Sequence, residues 1–328
     1  MSTPDGTIHH QQKKGPARAW TARFAAWVAA AALLAGAQAA AAATLLKPFV
    51  LAYRGPGTIE AKVEEAKAKL RQAGFRIVAD YEPYENAHVV VFTSDRLLRA
   101  VAKQKWGGFA APQRVGVVKV GDEVQVHYVN PVYMAHAYRF KGDDLSWLRQ
   151  QIEGALGAIQ DFGARGLTPK KLRKYHYTFG MEYFDDPYDL GRYGSYRAAV
   201  QRVEKGLAEG KAGVTKVYRI DIPGKQETVF GVARRAPSPK EKHMDDKFIM
   251  HDTVEVRPEL KTVAYLPYEI LVTGDRVIAL HMRFRMAVFH PDFRMMGKYS
   301  FMTLMPSPAA IERAFKKTLG VEEEEEEF

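Results

Sequence analysis

Apolar residues recur along the chain with two spacings, one typical of helices and one typical of strands. After Thr58, which is a suitable N-cap residue, apolar residues fall every three or four positions and predict a helix with one buried face. The positions on that face are Ile59, Val63, Ala66 and Leu70. Shorter apolar runs at residues 75–81 and 88–93 predict two strands that follow this helix.

Two longer stretches predict β-hairpins. Residues 264–292 contain two runs rich in Val, Ile, Leu, Phe and Tyr, joined at the turn sequence Thr273-Gly274-Asp275. We expect the second run to continue as one strand through residues 281–289. Residues 114–133 have the same arrangement, with Gly121-Asp122 at the turn. The chain therefore contains one hairpin pattern twice.

The elements before the second hairpin also repeat those before the first. Residues 177–184 predict an opening strand, and Ser195 precedes a helix with the same apolar spacing. Residues 217–221 and 228–232 then correspond to the paired strands of the first part. We predict an α+β fold of two tandem repeats, each with an antiparallel-rich sheet and helices packed on one face.

The predicted organisation has five segments. A leader precedes the first repeat, a basic linker separates the two repeats, and an acidic tail follows the second. In order, these segments are residues 1–43, 44–162, 163–174, 175–320 and 321–328. The glutamate run that begins at Glu322 is typical of a solvated tail.

The leader has the features of a secretory signal peptide. Four basic residues precede an apolar run that begins at Phe24, and small residues such as Ala41-Ala42-Ala43 follow it. A cleaved leader implies a periplasmic or secreted protein. The alternative is an uncleaved membrane anchor, because the uncharged run is long enough to span a bilayer.

Composition narrows the choice of partner. The chain has 328 residues, no cysteine and a formal net charge of +10. The lack of cysteine excludes disulfides, thiolate metal sites and cysteine nucleophiles. The positive charge favours anionic partners, but export argues against nucleic acid. We expect an envelope protein, a small ligand or an anionic membrane surface as the partner, and a homodimer is a further option.

Part of the chain resembles a known family. Leu70-x-x-x-Gly74-Phe75 is followed by a strand, a Val-Val-Val-Phe strand, Gly107-Gly108-Phe109 and a hairpin ending in Tyr128-Val129-Asn130-Pro131. This pattern resembles the bacterial domain-of-unknown-function family 302 over about residues 48–140, and more faintly over 177–289. The resemblance implies a small α+β domain that can pair with another copy. It implies no established activity and no catalytic residues.

Two groups of polar side chains are candidates for ligand binding. On the expected second strand of the later hairpin, His281, Arg283 and Arg285 share one face, and two arginines on one face can hold a carboxylate or phosphate. Asp185 and Tyr188 lie in the most aromatic region, which suits a sugar or small ligand. For both groups the alternative is a structural role. An enzyme acting on a small anionic or sugar substrate would use Asp185, Tyr188, Arg283 and Arg285.

His and Met residues are frequent in the second half. In an exported protein without cysteine, imidazole and thioether groups together suggest a copper site, because Met suits Cu(I). The best ligands are His243, Met244, Met250 and His251. The alternative is that these methionines fill the core. No other cofactor is predicted.

The sequence lacks the short motifs of common catalytic sites. It contains no P-loop, no G-x-G-x-x-G, no H-E-x-x-H and no G-x-S-x-G. We therefore expect an exported, non-catalytic binding or accessory module of the bacterial envelope. The alternatives are periplasmic copper handling and an enzyme of the kind described above.

Overall fold

Two antiparallel sheets, one of six strands and one of five, form the centre of the fold. The structure is a computed structural model that describes residues 44–321, so the predicted leader and the glutamates of the tail lie outside the described residues. Residues 45–321 form one compact unit. No helix within 44–321 is both long and apolar enough to cross a bilayer.

The first half contains the six-stranded sheet. Its elements in chain order are β1 (Phe49–Gly55), α1 (Ile59–Gln72), β2 (Arg76–Tyr84), β3 (Ala87–Thr93), α2 (Asp95–Ala102), β4 (Gln113–Val120), β5 (Glu123–Val129), α3 (Pro131–Ala137), α4 (Ser146–Leu156) and β6 (Gln160–Phe162). The strands are arranged in the order β2-β3-β4-β5-β1-β6, and each neighbouring pair is antiparallel.

The second half follows a connector that contains the short helix α5 (Pro169–Leu172). Its elements are β7 (Tyr188–Arg192), α6 (Tyr196–Glu209), β8 (Val214–Asp221), β9 (Glu227–Arg234), α7 (Asp246–Ile249), β10 (Tyr268–Thr273), β11 (Arg276–Ala279), α8 (Met282–Phe289) and α9 (Ser307–Thr318). The strands are arranged in the order β7-β11-β10-β9-β8. Short 3-10 and π turns lie at Gly107–Ala110, Lys211–Gly213, Pro239–Met244, Met250–Val254, Val263–Tyr265 and Phe301–Leu304.

The two halves share one strand order. In each, the opening strand pairs with the last strand of the hairpin, β1 with β5 and β7 with β11. A short helix follows each hairpin, and these two helices are in contact, since the Tyr133 hydroxyl of α3 donates to the Val288 carbonyl of α8 over 2.7 Å. This repeated order confirms the predicted two-part α+β fold. The boundaries of the five segments stay a prediction.

The predicted helix of each half is present and begins where the sequence indicates. The Thr58 hydroxyl accepts a hydrogen bond from the backbone N–H of Ala61 over 3.2 Å, and the Ser195 hydroxyl accepts one from Ala198 over 3.1 Å. Such caps satisfy backbone donors that have no partner within the helix. The expected apolar face of α1 packs on β2, β3 and β4, while α6 packs on β8 to β11.

The other faces of the two sheets turn towards each other. Arg114 on β4 forms an ion pair with Glu269 on β10, and both side chains are buried. Gly108, just before β4, donates its backbone N–H to the Glu227 carboxylate of β9 over 2.6 Å. The interior between the halves therefore contains charged groups as well as apolar side chains.

The expected long strand at residues 281–289 is wrong. Strand β11 ends at Ala279, and α8 follows it, with His281 as its N-cap accepting from the Arg283 backbone N–H over 3.3 Å. Almost every residue of α8 is buried. An apolar run that is buried on all sides has neither the helical nor the strand period, so its pattern does not distinguish the two.

The expected opening strand at residues 177–184 is also wrong, because β7 occupies 188–192 instead. Around Asp186, the chain bends back on itself. The backbone N–H of Tyr183 donates to the Asp186 carboxylate over 3.0 Å, and the Asp186 N–H donates to the Tyr183 carbonyl over 3.2 Å. Side-chain-to-backbone bonds of this kind compete with strand pairing, and they place the strand after Pro187.

Replacing Gly206 with Ala will lower the free energy of unfolding by about 1–3 kcal/mol, because α6 and α9 approach closely at this glycine. A Cβ at Gly206 would lie 2.1 Å from the Thr318 carbonyl oxygen. Urea denaturation measures the change. Gly154→Ala is the matched control, since Gly154 lies in α4 with no atom within 4 Å of its Cβ position. We expect that control to raise stability slightly. If both variants raise the free energy of unfolding equally, α6 and α9 do not pack closely at Gly206.

Candidate functional site

A cleft of about 560 Å³ opens where the two halves meet. Its walls come from the end of β6 and the loop after it, from the segment between α7 and β10, and from the loop after α8. The lining residues are Lys47, Phe162, Gly163, Ala164, Arg165, Thr253, Val254, Arg257, Pro258, Leu260, Thr262, His290, Asp292, Phe293, Arg294 and Tyr299. The volume is in the range of small-molecule sites.

The loop after β6 is held against the second half. Gly163 has φ of +93°, and a Cβ there would lie 2.8 Å from the Phe49 ring, so only glycine fits this turn. Two residues later, the backbone N–H of Arg165 donates to the Asp292 carboxylate over 2.6 Å. The predicted basic linker therefore contributes one wall of the cleft.

Aromatic side chains form the inner wall of the cleft and pack behind it, since Phe162 and His290 line the cleft and Phe49 and Tyr265 lie behind them. Phe49 lies 5.6 Å from Phe162 and 5.9 Å from His290, measured between ring centroids. His290 lies 5.4 Å from Tyr265 on its other side. All four side chains are buried, and packed aromatic rings of this kind hold one another in fixed orientations.

His290 is a neutral side chain in this wall. Burial, with a contribution from nearby Arg285, lowers the pKa of His290 to about 3. Its Nε2 lies 3.0 Å from the Thr262 hydroxyl. Its Nδ1 is buried and has no hydrogen-bond partner among residues 44–321. An unpaired buried polar atom is costly to a folded protein and is often found at a functional site.

A row of buried hydrogen bonds supports this histidine. Tyr84 donates to one Glu255 carboxylate oxygen over 2.6 Å, and the Thr262 backbone N–H donates to the other over 2.5 Å. The Thr262 hydroxyl then lies between Glu255 and His290. Burial raises the pKa of Glu255, although the bonds from Tyr84 and Thr262 oppose this. The row fixes the positions of Thr262 and His290 at the cleft wall.

The rim of the cleft is positively charged. It contains Lys47, Arg165, Arg257 and Arg294 against one carboxylate, that of Asp292. Arg165 forms an ion pair with Asp292 over 3.2 Å. The other three cations have no ion-pair partner within the described part of the chain. The rim can therefore bind an anionic group beside the apolar interior.

A second group of charges lies deeper between the sheets. Glu269 forms ion pairs with Arg114 and, over 3.1 Å, with Arg285, and all three side chains are nearly inaccessible to solvent. Arg285 also donates to the Pro267 carbonyl over 2.7 Å and lies over the Tyr265 ring. Burial lowers the pKa of Arg285, but the charge of Glu269 together with the neighbouring Tyr265, Tyr268 and Tyr138 raises it overall. This group has no access to a ligand, and we assign it a structural role.

The structure separates the residues that the sequence suggested for ligand binding. Arg283 and Arg285 are two positions apart on α8, so their side chains point in nearly opposite directions. Arg283 faces outward and pairs with Glu182 over 2.8 Å. The His281 ring lies against the Tyr188 ring at a tilt of 45°, with centroids 4.3 Å apart. Arg283, His281 and Tyr188 thus share one neighbourhood, whereas Arg285 does not.

Tyr188 and Asp185 have structural partners. The Tyr188 hydroxyl donates to the Pro308 carbonyl over 2.9 Å and accepts from the Met282 N–H over 3.2 Å, so it joins β7, α8 and α9. Asp185 pairs with Arg139 of the first half over 2.8 Å. None of the five suggested ligand-binding residues lines the 560 Å³ cleft.

The suggested copper ligands are divided between two other cavities. His243 and Met244 line a cavity of about 930 Å³ beside α9, while His251 lines one of about 350 Å³ beside Tyr84. Met250 is fully buried. Copper binding stays a prediction, and it would require either these cavities to act separately or the segment between them to rearrange.

Reasoning from the sequence missed the residues of the cleft. His290, Thr262, Arg257 and Arg294 lie in loops, where no periodic pattern marks them. The basic composition of residues 163–174 was the one signal that pointed to this region.

Comparison with known proteins assigns the chain to no family. No family model matches the chain, and no curated protein matches it. One solved structure that resembles part of it is the crystal structure of an uncharacterized conserved protein, DUF302, from Bacillus stearothermophilus. The two are 11% identical, and the match covers 32% of this chain and 94% of that chain with a TM-score of 0.29. This is a weak hint of the family and no more.

Proposed function

We propose that the protein is an exported, non-catalytic binding module of the bacterial envelope. Its ligand is an apolar molecule that carries one anionic group, and it binds in the 560 Å³ cleft between the two halves. The observation that carries this proposal is the combination of an aromatic inner wall with a rim of three cations that have no ion-pair partner among residues 44–321.

The chemistry of the cleft supports this class of ligand. Burying an apolar chain against Phe162, Leu260 and Phe293 gains about 25 cal/mol for each Å² removed from water. Arg257 and Arg294 supply charge-assisted hydrogen bonds to a carboxylate or phosphate at the opening. Neutral His290 adds a polar group to the wall without adding charge.

The proposed location rests on the leader, whose basic, apolar and small-residue regions are typical of secretion. The non-catalytic role is supported by the hydrogen bonds around Thr262, which hold its hydroxyl between Glu255 and His290. Thr262 is 4% exposed, so its hydroxyl is poorly placed to attack a substrate.

Dodecanoate will bind saturably to the protein, and Arg257→Gln with Arg294→Gln will weaken that binding about tenfold, because two cations no longer face the carboxylate. Dodecanol, which has the same chain without the charge, will bind wild type and the double variant equally. Isothermal titration calorimetry measures both ligands. Arg197→Gln with Lys205→Gln, on the exposed face of α6, is the matched control because it also removes two cations, and it will leave both affinities unchanged.

Two results would contradict the proposal in different ways. Absence of saturable binding for dodecanoate and dodecanol would remove the cleft as an apolar site. Equal loss of dodecanoate affinity in the rim double variant and in Arg197→Gln with Lys205→Gln would show that the rim cations act only through the net charge of the protein.

A further inference from the structure

Four methionines are exposed within one short stretch of the second half. They are Met295, Met296, Met302 and Met305, with exposures of 39%, 73%, 51% and 60%. We refer to residues 294–305 as the methionine segment. It also contains the exposed cations Arg294 and Lys298, and it has no acidic residue.

The methionine segment has a defined conformation in which its two ends fold back on each other. The Phe301 N–H donates to the Arg294 carbonyl over 2.8 Å, and the Met302 N–H donates to the Met295 carbonyl over 3.2 Å. These bonds place Met302 beside Met295, and the Met305 N–H donates back to the Met302 carbonyl over 3.4 Å. The backbones of Met295, Met302 and Met305 are therefore held close together, and Met296 follows Met295 directly, so the four exposed methionines lie on one small region of the surface.

The underside of the segment is anchored in the protein. Phe301 is buried and stacks on Tyr177, with ring centroids 4.6 Å apart, and Leu304 is buried beside it. The exposed methionines therefore stand on a fixed base, and their exposure does not come from a loose loop. Flexible, polarizable methionine side chains adapt well to irregular apolar surroundings.

We infer that the methionine segment docks on an anionic lipid surface. A patch of apolar side chains flanked by cations and free of acids matches the boundary between acyl chains and anionic headgroups. Charge complementarity favours this occupant over another copy of this chain, whose formal net charge is +10. Arg294 and Tyr299 belong both to the segment and to the cleft lining, so docking would bring the cleft opening to the membrane.

This inference does not depend on the proposed ligand, because the docking contacts come from the exposed segment alone. A test can use the full chain. The chain has no cysteine, so Met296→Cys introduces a unique thiol that accepts an environment-sensitive fluorophore. The control label is Glu64→Cys, on the exposed side of α1 in the first half. Any insertion of the leader into vesicles is common to both labelled proteins.

With vesicles of phosphatidylglycerol and phosphatidylcholine, the label at position 296 will shift its emission to the blue and be quenched by lipids that carry a nitroxide. The label at position 64 will show neither change. Lys298→Gln will weaken the vesicle affinity reported at position 296 about fivefold. A control charge change, Arg197→Gln, will not.

Three results would overturn the inference. The first is that the emission of the label at position 296 does not change when vesicles are added, which would leave a protein partner as the occupant of the methionine segment. The second is an equal response with vesicles of phosphatidylcholine alone, which would remove the requirement for anionic lipid. The third is an equal response at positions 296 and 64, which would assign vesicle contact to another part of the chain.

Discussion

Replacing Glu269 with Gln will lower the free energy of unfolding by about 3–5 kcal/mol. Glu269 is the carboxylate between Arg114 and Arg285, and all three side chains are buried between the sheets. Gln keeps the size of the side chain but removes its charge, so two guanidinium groups remain in the interior without an anion. The loss of one partner from a buried ion pair costs far more than the loss of an exposed pair.

Urea denaturation at pH 7 measures this change. Glu204→Gln is the matched control, because Glu204 pairs with Lys216 and Arg219 on the partly exposed face of the second half. We expect Glu204→Gln to lower the free energy of unfolding by less than about 1 kcal/mol. A loss of similar size in both variants would mean that Glu269 does not neutralise the two arginines.

Lowering the pH from 7 to 5 will destabilise the protein by about 2 kcal/mol for each of two histidines, His127 and His290. Burial lowers the pKa of each to about 3, from an ordinary value of 6.5. The folded protein therefore keeps both rings neutral at pH 5, whereas the unfolded chain binds protons below pH 6.5. The stability that these rings contribute is complete above pH 6.5 and is lost as the pH falls towards 3.

Urea denaturation at pH 5, 6 and 7 will show a smaller dependence on pH in His127→Gln and in His290→Gln than in wild type. Burial raises the pKa values of Glu255 and Asp246, which therefore contribute in the opposite direction, and this contribution is common to all three proteins. His176→Gln, at an exposed histidine, is the control. If His127→Gln and His290→Gln keep the full pH dependence of wild type, these two histidines are not the cause of the loss of stability between pH 7 and pH 5.

Elements that depend on local patterns could be predicted from the sequence. The helix α1 has a capping residue, a single apolar face and polar residues opposite, so its spacing alone identifies it. The turns at Gly121 and Gly274 likewise identified both hairpins. The prediction of two repeats followed from these elements, because the two halves carry the same pattern along the chain.

Elements that depend on tertiary surroundings could not be predicted in this way. Helix α8 is buried on nearly all sides, so its residues show no polar face, and Arg285 looked like a surface residue although it pairs with Glu269 in the interior. A buried arginine is rare without a partner, and its partner lies 16 positions earlier in the sequence.

The cleft depends on contacts between distant parts of the chain. Arg165 meets Asp292 across 127 positions, and Thr262 meets His290 across 28. Each of these residues is ordinary in its local sequence, and only the packing of the two halves brings them to one site. For this reason the sequence pointed to Arg283 and His281, which share a local pattern, and not to the cleft.

The most direct measurement of the proposed function is a crystal structure of the protein grown with 12-bromododecanoate. Anomalous scattering locates the bromine without reference to the shape of the cleft. We expect the bromine beside Phe162 and Leu260, with the carboxylate at Arg257 and Arg294. Bromine bound elsewhere on the protein, with the cleft free of ligand, would contradict a binding site between the two halves.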